Sequence, residues 1–364
     1  MKVGKCSYQF NNVFIEETAV AIGSLEAKGK MVSYADIIYK DQYFNEKSYE
    51  AAERKMQKDT IERLKSKKYL IDQNIDIVFG GDLINQEIIS TFVMREFDIA
   101  FVGLYGACST FGLATLIGSI FIEANCAKKV IAMASSHAQT AERTFRYPVE
   151  YGGAKEDSTT LTVTGCGAML LSNKKSKIKV TKATIGKVID VDYKNSFDMG
   201  GAMAPSAIET LLTHFEDFKT KPSDYDLILT GDLSQIGFSV VSKALNDKFG
   251  NVKNYDDCGL IVYDYFTQKV FSGGSGCASS SVVTCGYIKE KLLSGELNKV
   301  LICPTGALLP ITSFGHSLAD GAYNRAIDSN YFDVFLGMFD NVSSRISVAV
   351  VLSVLAAIIF KPKE

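Results

Sequence analysis

The stretch from Val102 to Glu123 constrains the fold of this chain more than any other. It reads VGLYGACSTFGLATLIGSIFIE, an apolar run that ends at Gly106, Ala107 and Cys108 and continues directly into a helix-like run. Apolar residues occur all the way round that helix. A helix of this kind is normally buried inside a large protein or in a membrane. Because the run is short and interrupted by Gly, Ser and Thr, we predict a buried central helix rather than a membrane span.

Cys108 lies at the predicted N-terminus of this helix. Unpaired backbone N–H groups and the helix dipole favour an anion at such an end, and they would lower the pKa of a thiol. Cys108 is therefore a candidate pocket residue. The alternative is that Cys108 is simply a small buried apolar side chain, as most free cysteines are.

A second copy of this arrangement occurs later in the chain. Three pairs of segments match in the same order: 75–86 with 225–236, 102–123 with 271–293, and 128–136 with 298–306. Matching segments in the same order indicate a duplicated unit. Each unit alternates strand, helix and strand, which predicts parallel sheets with helical crossovers. We therefore predict an α/β fold of two halves, residues 1–177 and 178–309, in five layers: helix, sheet, helices, sheet, helix.

The composition argues against several classes of protein. A formal net charge of −2, with no basic stripe interleaved with aromatic residues, argues against nucleic-acid binding. The eight cysteines include no CxxC pair, which is typical of free thiols in a reducing compartment rather than of disulfides or a zinc site. There is no EF-hand loop, and we predict no metal site. The first residues also lack the apolar run of a signal peptide.

Three segments outside the repeats have their own patterns. Residues 48–68 pair Glu and Lys at helical spacing, which predicts a solvated amphipathic helix. Residues 140–160 contain Pro, a Gly pair and two arginines, and we predict a long functional loop there. Residues 310–364 have no counterpart in the first half, and residues 346–360 are apolar throughout and are followed by two lysines. We predict a C-terminal apolar helix at 346–360 that inserts into or docks on a membrane, the alternative being a buried terminal helix.

Long stretches of the chain resemble a known family. They are DLINQ (82–86), LYGACST (104–110), SSHAQTAERTFRYPVEYGG (135–153), FDMGGAMAP (197–205), YDLILTGDLSQIG (225–237), DCGLIVY (257–263) and GGSGCASS (273–280). With the duplicated halves, these stretches resemble the thiolase-like superfamily of condensing enzymes and, within it, the stage V sporulation protein AD family. The tail, through PITSFGHSLADGA (310–322) and AIIFKPKE (357–364), resembles the last part of stage V sporulation protein AE. The resemblance implies a thiolase-like fold and a fusion of the two proteins.

The resemblance also bears on catalysis. Condensing enzymes use a Cys nucleophile with His and Asn partners from the second half. Cys108 matches the nucleophile position, but Asp232 stands where the His would fall and Gly274 where the Asn would fall. A carboxylic acid cannot replace an imidazole partner. We therefore predict that the chain is not an enzyme and that its pocket survives as a binding site.

The ligand implied by the resemblance is dipicolinic acid, pyridine-2,6-dicarboxylate. Its two carboxylates require arginine or helix N-terminal N–H donors, and its flat ring requires an apolar slot. The predicted ligand-binding residues are Cys108, Ser136, His137, Arg143, Arg146, Tyr151, Asp232 and Cys277.

Most of these predicted residues have a structural alternative. In the structural alternative, His137 only satisfies a structural hydrogen bond, and Arg143 and Arg146 pair with local carboxylates. Asp232 would cap a turn, and packing alone would explain Cys277.

The resemblance implies a setting as well as a ligand. The expected function is to bind dipicolinic acid, or its calcium chelate, for movement across the spore inner membrane in sporulation or germination. The expected localisation is the spore inner membrane of the forespore, with the other stage V channel proteins as partners, the tail on the membrane, and a homodimer paired through a sheet edge. No cofactor is expected, and calcium would arrive with the ligand. Two alternatives stay open: an acyltransferase acting through Cys108, and a channel scaffold or plug without a ligand.

Overall fold

The computed structural model describes residues 2–145, 155–191, 193, 195, 197–308 and 350–352. Two predicted ligand-binding residues, Arg146 and Tyr151, lie outside the described residues, as does the tail apart from 350–352. The resemblance of residues 310–364 to stage V sporulation protein AE stays a prediction.

The described elements alternate along most of the chain, as the duplicated pattern predicts. The strands are β1 (Ser7–Ile22), β2 (Ile37–Ile38), β3 (Ile77–Gly81), β4 (Ala100–Gly103), β5 (Lys129–Ser136), β6 (Leu161–Thr162), β7 (Gly165–Ser172), β8 (Ile178–Thr184), β9 (Leu227–Thr230), β10 (Tyr255–Asp257), β11 (Gly274–Ser275), β12 (Val300–Cys303), β13 (Gly306–Leu308) and β14 (Val350–Leu352). The helices are α1 (Tyr49–Lys68), α2 (Ile88–Met94), α3 (Thr110–Glu123), α4 (Ala138–Phe145), α5 (Met199–Phe218), α6 (Ser234–Phe249), α7 (Cys258–Val262), α8 (Cys277–Val282) and α9 (Lys289–Leu293). A π-helical segment, Val283–Ile288, joins α8 to α9.

Two main sheets carry these helices. The first has seven strands in the order β2-β1-β7-β5-β3-β4, with β8 also paired to β1. Its strands β3, β4 and β5 are parallel neighbours, and β7 runs antiparallel to both β5 and β1. The second sheet has three parallel strands in the order β10-β9-β12. Because β8 joins the first sheet, the two halves are less alike than their sequences suggest, and the boundary between residues 177 and 178 stays a prediction.

The hydrophobic clusters lie between five layers of secondary structure, and the largest cluster fills both sides of the central layer. Successive residues of a strand point to opposite faces of its sheet. Along β5, Val130 belongs to the cluster around α3 and α8, whereas Ile131 belongs to the cluster under α1 and α2. Along β12, Val300 belongs to the central cluster, whereas Leu301 packs with α5 and α6. The layers are therefore α1 and α2, the first sheet, α3 and α8, the second sheet, and α5 and α6, which confirms the predicted architecture.

The burial of α3 confirms the central prediction from the sequence. Phe111, Ala114 and Leu116 are almost completely buried, although they lie on different sides of the helix. Gly118 allows the helix to approach the sheet, because a Cβ there would lie 2.9 Å from Val130 Cγ1. The helix thus packs against the sheet at one side and against α8 at another.

Two predictions outside the repeats are wrong in part. The prediction of a continuous helix over 346–360 fails at 350–352, where the chain forms β14, antiparallel to β13. The β-branched residues Val350 and Val351 suit a strand, and a short apolar run does not by itself distinguish strand from helix. Within the described part of the chain, no helix is long and apolar enough to cross a membrane. The loop predicted at 140–160 begins instead with helix α4, which extends to Phe145.

Helix α1 corrects the prediction of a solvated helix. The helix is present, with Ser48 as its N-cap accepting a hydrogen bond from Ala51 N at 3.2 Å. However, Glu53, Gln57 and Thr60 on one of its faces are fully buried. Local Glu and Lys spacing cannot show this, because it is the neighbouring strand β5 that supplies hydrogen-bond partners to that face.

Candidate functional site

The site is built where the first turns of α3 and α8 approach each other in the central layer. A short 3-10 turn, Ala107–Ser109, leads into α3 and carries Cys108, and α8 begins at Cys277. Both thiols are buried. Ala107 has a φ of 48°, in the left-handed region that disfavours side chains with a Cβ. The turn therefore carries backbone strain at Ala107, directly before Cys108, and such strain is common at functional positions.

Asp232, also from the second half of the chain, lies next to these two turns. It follows β9, and its Oδ2 atom accepts a hydrogen bond from Gly276 N at 2.9 Å. Its Oδ1 atom is buried and accepts no N–H or O–H hydrogen bond from the described residues, and the Cys108 thiol lies against this carboxyl group. Burial raises the pKa of Asp232 to about 7, so the carboxyl group carries a proton in a substantial fraction of molecules near neutral pH.

The electrostatics at Cys108 overturn one expectation from the sequence. The helix N-terminus predicts a lowered thiol pKa, but burial, and then the neighbouring Asp232 carboxylate, raise the pKa of Cys108 well above its usual value. The Gly276 N–H group acts in the opposite direction and is outweighed. Desolvation and a like charge thus dominate over the helix dipole, and Cys108 is a neutral thiol.

Thr305 is the site residue that the sequence analysis missed. Its side chain is fully buried, and its Oγ1 atom has no hydrogen-bond partner among the described residues. A Cβ at the next residue, Gly306, would lie 3.1 Å from Cys108 N, and a Cβ at Gly231 would lie 3.6 Å from Thr305 N. Thr305 therefore lies between the turns of Cys108 and Asp232. The repeat contained a signal for it, because 128–136 aligns with 298–306 and pairs Thr305 with Ser135.

Ser136 lies beside the site, and its hydroxyl group is hydrogen-bonded within the protein. Its Oγ atom donates to Val163 O at 2.7 Å and accepts from Ala278 N at 3.2 Å. A Cβ at Gly276 would lie 2.9 Å from that Oγ atom, and Gly276 has a φ of 92°. Ser136 thus connects β5 to the first turn of α8, and Gly276 is required there both for its conformation and for this close approach.

His137 is satisfied by backbone groups. Its Nδ1 atom accepts from Gln139 N at 3.2 Å, so Nε2 carries the hydrogen and donates to Gln42 O at 2.9 Å. The ring also lies against Phe44 and Tyr49. Burial lowers the pKa of His137 to about 4, so the ring is neutral. These contacts favour the structural alternative for His137, and its contact with a ligand stays a prediction.

Arg143 also has a partner within the protein. It belongs to α4 and forms an ion pair with Glu50 on α1. The structure thus brings together Cys108, Asp232 and Cys277 of the predicted site, whereas Arg143 pairs with Glu50. The ligand-binding role of all these residues stays a prediction.

A buried polar network lies behind Cys277, and the sequence analysis missed it. Cys277 Sγ donates to Ser135 O at 2.9 Å, and Ser135 Oγ donates to Glu53 Oε1 at 2.9 Å. Gln57 Nε2 bridges Ser135 Oγ at 2.7 Å and Ser90 Oγ at 2.9 Å. The network therefore connects α1, α2 and β5 to the first turn of α8.

The described residues give Cys108 a raised thiol pKa and no imidazole partner. A cysteine nucleophile is activated by a base or by a lowered pKa. Both described histidines are engaged elsewhere: His137 as above, and His214 with Thr184 at 2.9 Å and Tyr225 at 3.1 Å. The titratable group against the thiol is the Asp232 carboxyl group. The site also offers two buried oxygen atoms, Asp232 Oδ1 and Thr305 Oγ1, that accept no N–H or O–H hydrogen bond from the described residues.

Known proteins resemble this chain both in sequence and in fold. The family model described as Stage V sporulation protein AD matches residues 4–319. Stage V sporulation protein AD from Bacillus subtilis strain 168 is 43% identical over 311 residues, covering 85% of this chain and 92% of that protein. A variant of OleA from Xanthomonas campestris has a TM-score of 0.57 at 11% identity, covering 82% of this chain and 94% of its own. The 3-oxoacyl-[acyl-carrier-protein] synthase III from Aquifex aeolicus has a TM-score of 0.50 at 13% identity, covering 81% and 96%. These likenesses show the thiolase-like fold.

Proposed function

Since this chain belongs to the stage V sporulation protein AD family, we propose that it binds dipicolinic acid, or its calcium chelate, without catalysing a reaction. One observation carries the proposal. Asp232 Oδ1 and Thr305 Oγ1 are buried polar atoms that accept no N–H or O–H hydrogen bond within the described part of the chain, and they lie in the turns that surround Cys108. Leaving buried polar groups unpaired is costly, so such atoms mark a place where a ligand completes the hydrogen bonding.

The chemistry of dipicolinate suits these two atoms. A carboxylate accepts hydrogen bonds, and the Thr305 hydroxyl group can donate one. Asp232 can donate a second when it is protonated, because burial raises its pKa to about 7. The flat ring would lie among the buried apolar atoms of the central layer. In this proposal, binding of the free acid weakens as the pH rises above about 7, because ionised Asp232 repels a carboxylate.

The absence of catalysis in the proposal follows from the state of Cys108. The thiol pKa is raised, and Asp232 stands where a condensing enzyme would have an imidazole. The competing function is acyl transfer through Cys108, and it is favoured by the fold, since the Aquifex aeolicus neighbour is a synthase. That function requires an acyl adduct on Cys108 after incubation with acyl-coenzyme A, which intact-mass spectrometry would detect.

The setting forms a second part of the proposal. Membership of a sporulation family supports a role in sporulation. We propose that the protein works at the spore inner membrane of the forespore, together with the other stage V channel proteins, in moving dipicolinic acid across that membrane.

Calorimetric titration of the full chain with dipicolinate, with and without calcium, tests the proposed binding. We expect saturable binding that Thr305→Val weakens about tenfold, because it removes one donor of a charge-assisted hydrogen bond. Asp232→Asn should flatten the dependence of affinity on pH. The matched control is Asp247→Asn, a carboxylate on α6 that is 65% exposed and pairs with Lys243. Equal affinities in the wild type, Thr305→Val and Asp247→Asn would contradict this location of the site.

A further inference from the structure

A turn at the far end of the first sheet carries most of a lysine surface. Between the last residue of β7 and the first of β8, the chain places Lys174, Lys175 and Lys177, all exposed. Strand register puts Lys129, at the start of β5, opposite Ser172. The exposed side chain of Lys128 therefore lies beside the turn. We define the lysine surface as Lys128, Lys174, Lys175 and Lys177.

The charges of this surface are not neutralised within the described part of the chain. None of its four lysines forms an ion pair there, whereas Lys55, Lys58 and Lys243 pair with carboxylates at 2.8, 2.6 and 2.6 Å. One acidic side chain beside the surface, Asp76, is engaged by backbone groups. Its Oδ2 atom accepts from the backbone N–H groups of Lys128 at 2.6 Å and Lys129 at 2.8 Å. Because the whole chain has a net charge of −2, four unpaired cations together are a local exception.

We propose that the lysine surface docks on an anionic lipid bilayer. Lysines are flexible point charges, suited to a diffuse layer of lipid phosphates rather than to one fixed anion. The turn 173–177 contains no arginine and no aromatic residue, so it lacks the groups that read or stack nucleic-acid bases. Each lysine near an anionic membrane increases binding about fivefold, so four together give a binding that is measurable and reversible.

Docking in this way fixes which end of the molecule faces water. Lys129 and Ser136 are the first and last residues of β5, an eight-residue strand that spans about 23 Å. Ser136 contacts the first turn of α8 in the Cys108 site. With the lysine surface on the bilayer, the Cys108 site therefore lies at the opposite end of the sheet, towards the aqueous phase. This inference does not depend on the proposed ligand.

Vesicle sedimentation of the full chain tests the docking. The probe is the ratio of binding to phosphatidylcholine vesicles containing phosphatidylglycerol over binding to pure phosphatidylcholine vesicles, at low and high salt. We expect a ratio well above one that falls at high salt, because salt screens the lysines. The triple variant Lys174→Gln, Lys175→Gln, Lys177→Gln should lower the ratio about a hundredfold at low salt, or to one if the initial ratio is smaller. Using a ratio removes any binding by the tail that does not depend on lipid charge.

The matched control removes the same number of positive charges at lysines outside the lysine surface. Lys55→Gln, Lys58→Gln and Lys243→Gln remove three paired lysines, and this triple variant should keep the wild-type ratio. The proposal is overturned if the wild type shows no preference for anionic vesicles, or if the two triple variants behave alike. An acidic protein partner instead of lipid would give the first of these results. Dipicolinate titration of both triple variants should match the wild type, which separates a failure of this proposal from a failure of the proposed function.

Discussion

At the residue scale, burial decides the protonation state of Glu53. Ser135 Oγ donates to Glu53 Oε1 at 2.9 Å, and Thr140 Oγ1 donates to Glu53 Oε2 at 2.7 Å. These two hydrogen bonds favour the ionised carboxylate. Burial and then the charge of Asp82 outweigh them and raise the pKa of Glu53 to about 8.

Glu53→Gln should stabilise the protein at neutral to alkaline pH. In the unfolded chain this carboxyl group ionises near pH 4.5, whereas in the folded chain it keeps its proton to about pH 8. Folding therefore takes up a proton between these values, and this group lowers the stability of the wild type as the pH rises through that window. A glutamine keeps a donor and an acceptor without ionising, so it should gain on the order of 4 kcal/mol at pH 8 and almost nothing at pH 4.

Urea unfolding across this pH range measures the effect. Glu62→Gln, an exposed change on the same helix, is the control. Equal stability of Glu53→Gln and the wild type at pH 8 would mean that Glu53 is already ionised in the folded protein.

Single residues also show where reading the sequence succeeds. The repeat brings Cys108, Asp232 and Cys277 together correctly, because corresponding strand ends and helix starts meet in a duplicated fold. Thr305 was missed although the repeat aligns it with Ser135, because an unpartnered hydroxyl is visible only once its surroundings are known. Glu53 was missed because an acid at helical spacing from lysines has the same local pattern whether it is buried or exposed.

At the scale of elements, β7 and α8 approach so closely that their contact requires glycine. A Cβ at Gly167 would lie 2.4 Å from Ser281 O and 2.5 Å from Ser281 C. These are backbone atoms, which cannot move without displacing α8. This contact holds the first turn of α8, and with it Gly276 and Cys277, against the first sheet.

Gly167→Ala should therefore cost about 3 kcal/mol or more of folding stability, because the added methyl group overpacks a backbone contact. Gly250→Ala is the control: its φ of 83° is strained for alanine, but no atom lies within 4 Å of the added carbon. That change should cost about 1–3 kcal/mol, because its φ of 83° with a ψ of −149° is a conformation almost restricted to glycine. Thermal unfolding of the two variants compares them, and a Gly167→Ala variant no less stable than Gly250→Ala would show that α8 can shift freely.

The sequence predicts elements well where periodicity is strong and poorly where partners are distant. The helix α3 and strands β3, β5, β9 and β12 follow directly from apolar runs and the repeat. Strand β14 does not, because three apolar residues pair with β13 only across a long stretch of intervening chain. Tertiary pairing of this kind outweighs local preference.

At the scale of the whole molecule, we propose that the predicted homodimer pairs through the end strand β4. It ends the first sheet in the described part of the chain, and Val102 on it is 41% exposed. Ile88 and Phe92 on α2 are also exposed, at 42% and 38%. An exposed apolar edge strand favours pairing with another strand. These features support the homodimer that the resemblance implies.

For a homodimer paired through this edge, Val102→Lys should give a monomer, because a charge on an edge strand opposes pairing with a second edge. Analytical ultracentrifugation measures the change, and Val240→Lys on α6, with a similarly exposed valine at 43%, is the control. A wild-type chain that sediments as a monomer at all concentrations would contradict the homodimer.

The architecture of the whole molecule could be predicted, but its asymmetry could not. Duplication and an all-apolar helix are sufficient to predict five layers. They do not predict that β8 joins β1 to give seven strands on one side and three on the other. The pairing of β8 is set by its long-range register with β1, which no local pattern records.

The central claim is that a ligand completes the hydrogen bonding of Asp232 and Thr305, and a crystal structure of the full chain with dipicolinate tests it most directly. We predict a carboxylate of the ligand within hydrogen-bond distance of Thr305 Oγ1, with Asp232 Oδ1 facing the ligand and Cys108 unmodified. Dipicolinate bound at another place, or a water molecule satisfying both atoms while the ligand is absent, would contradict the account.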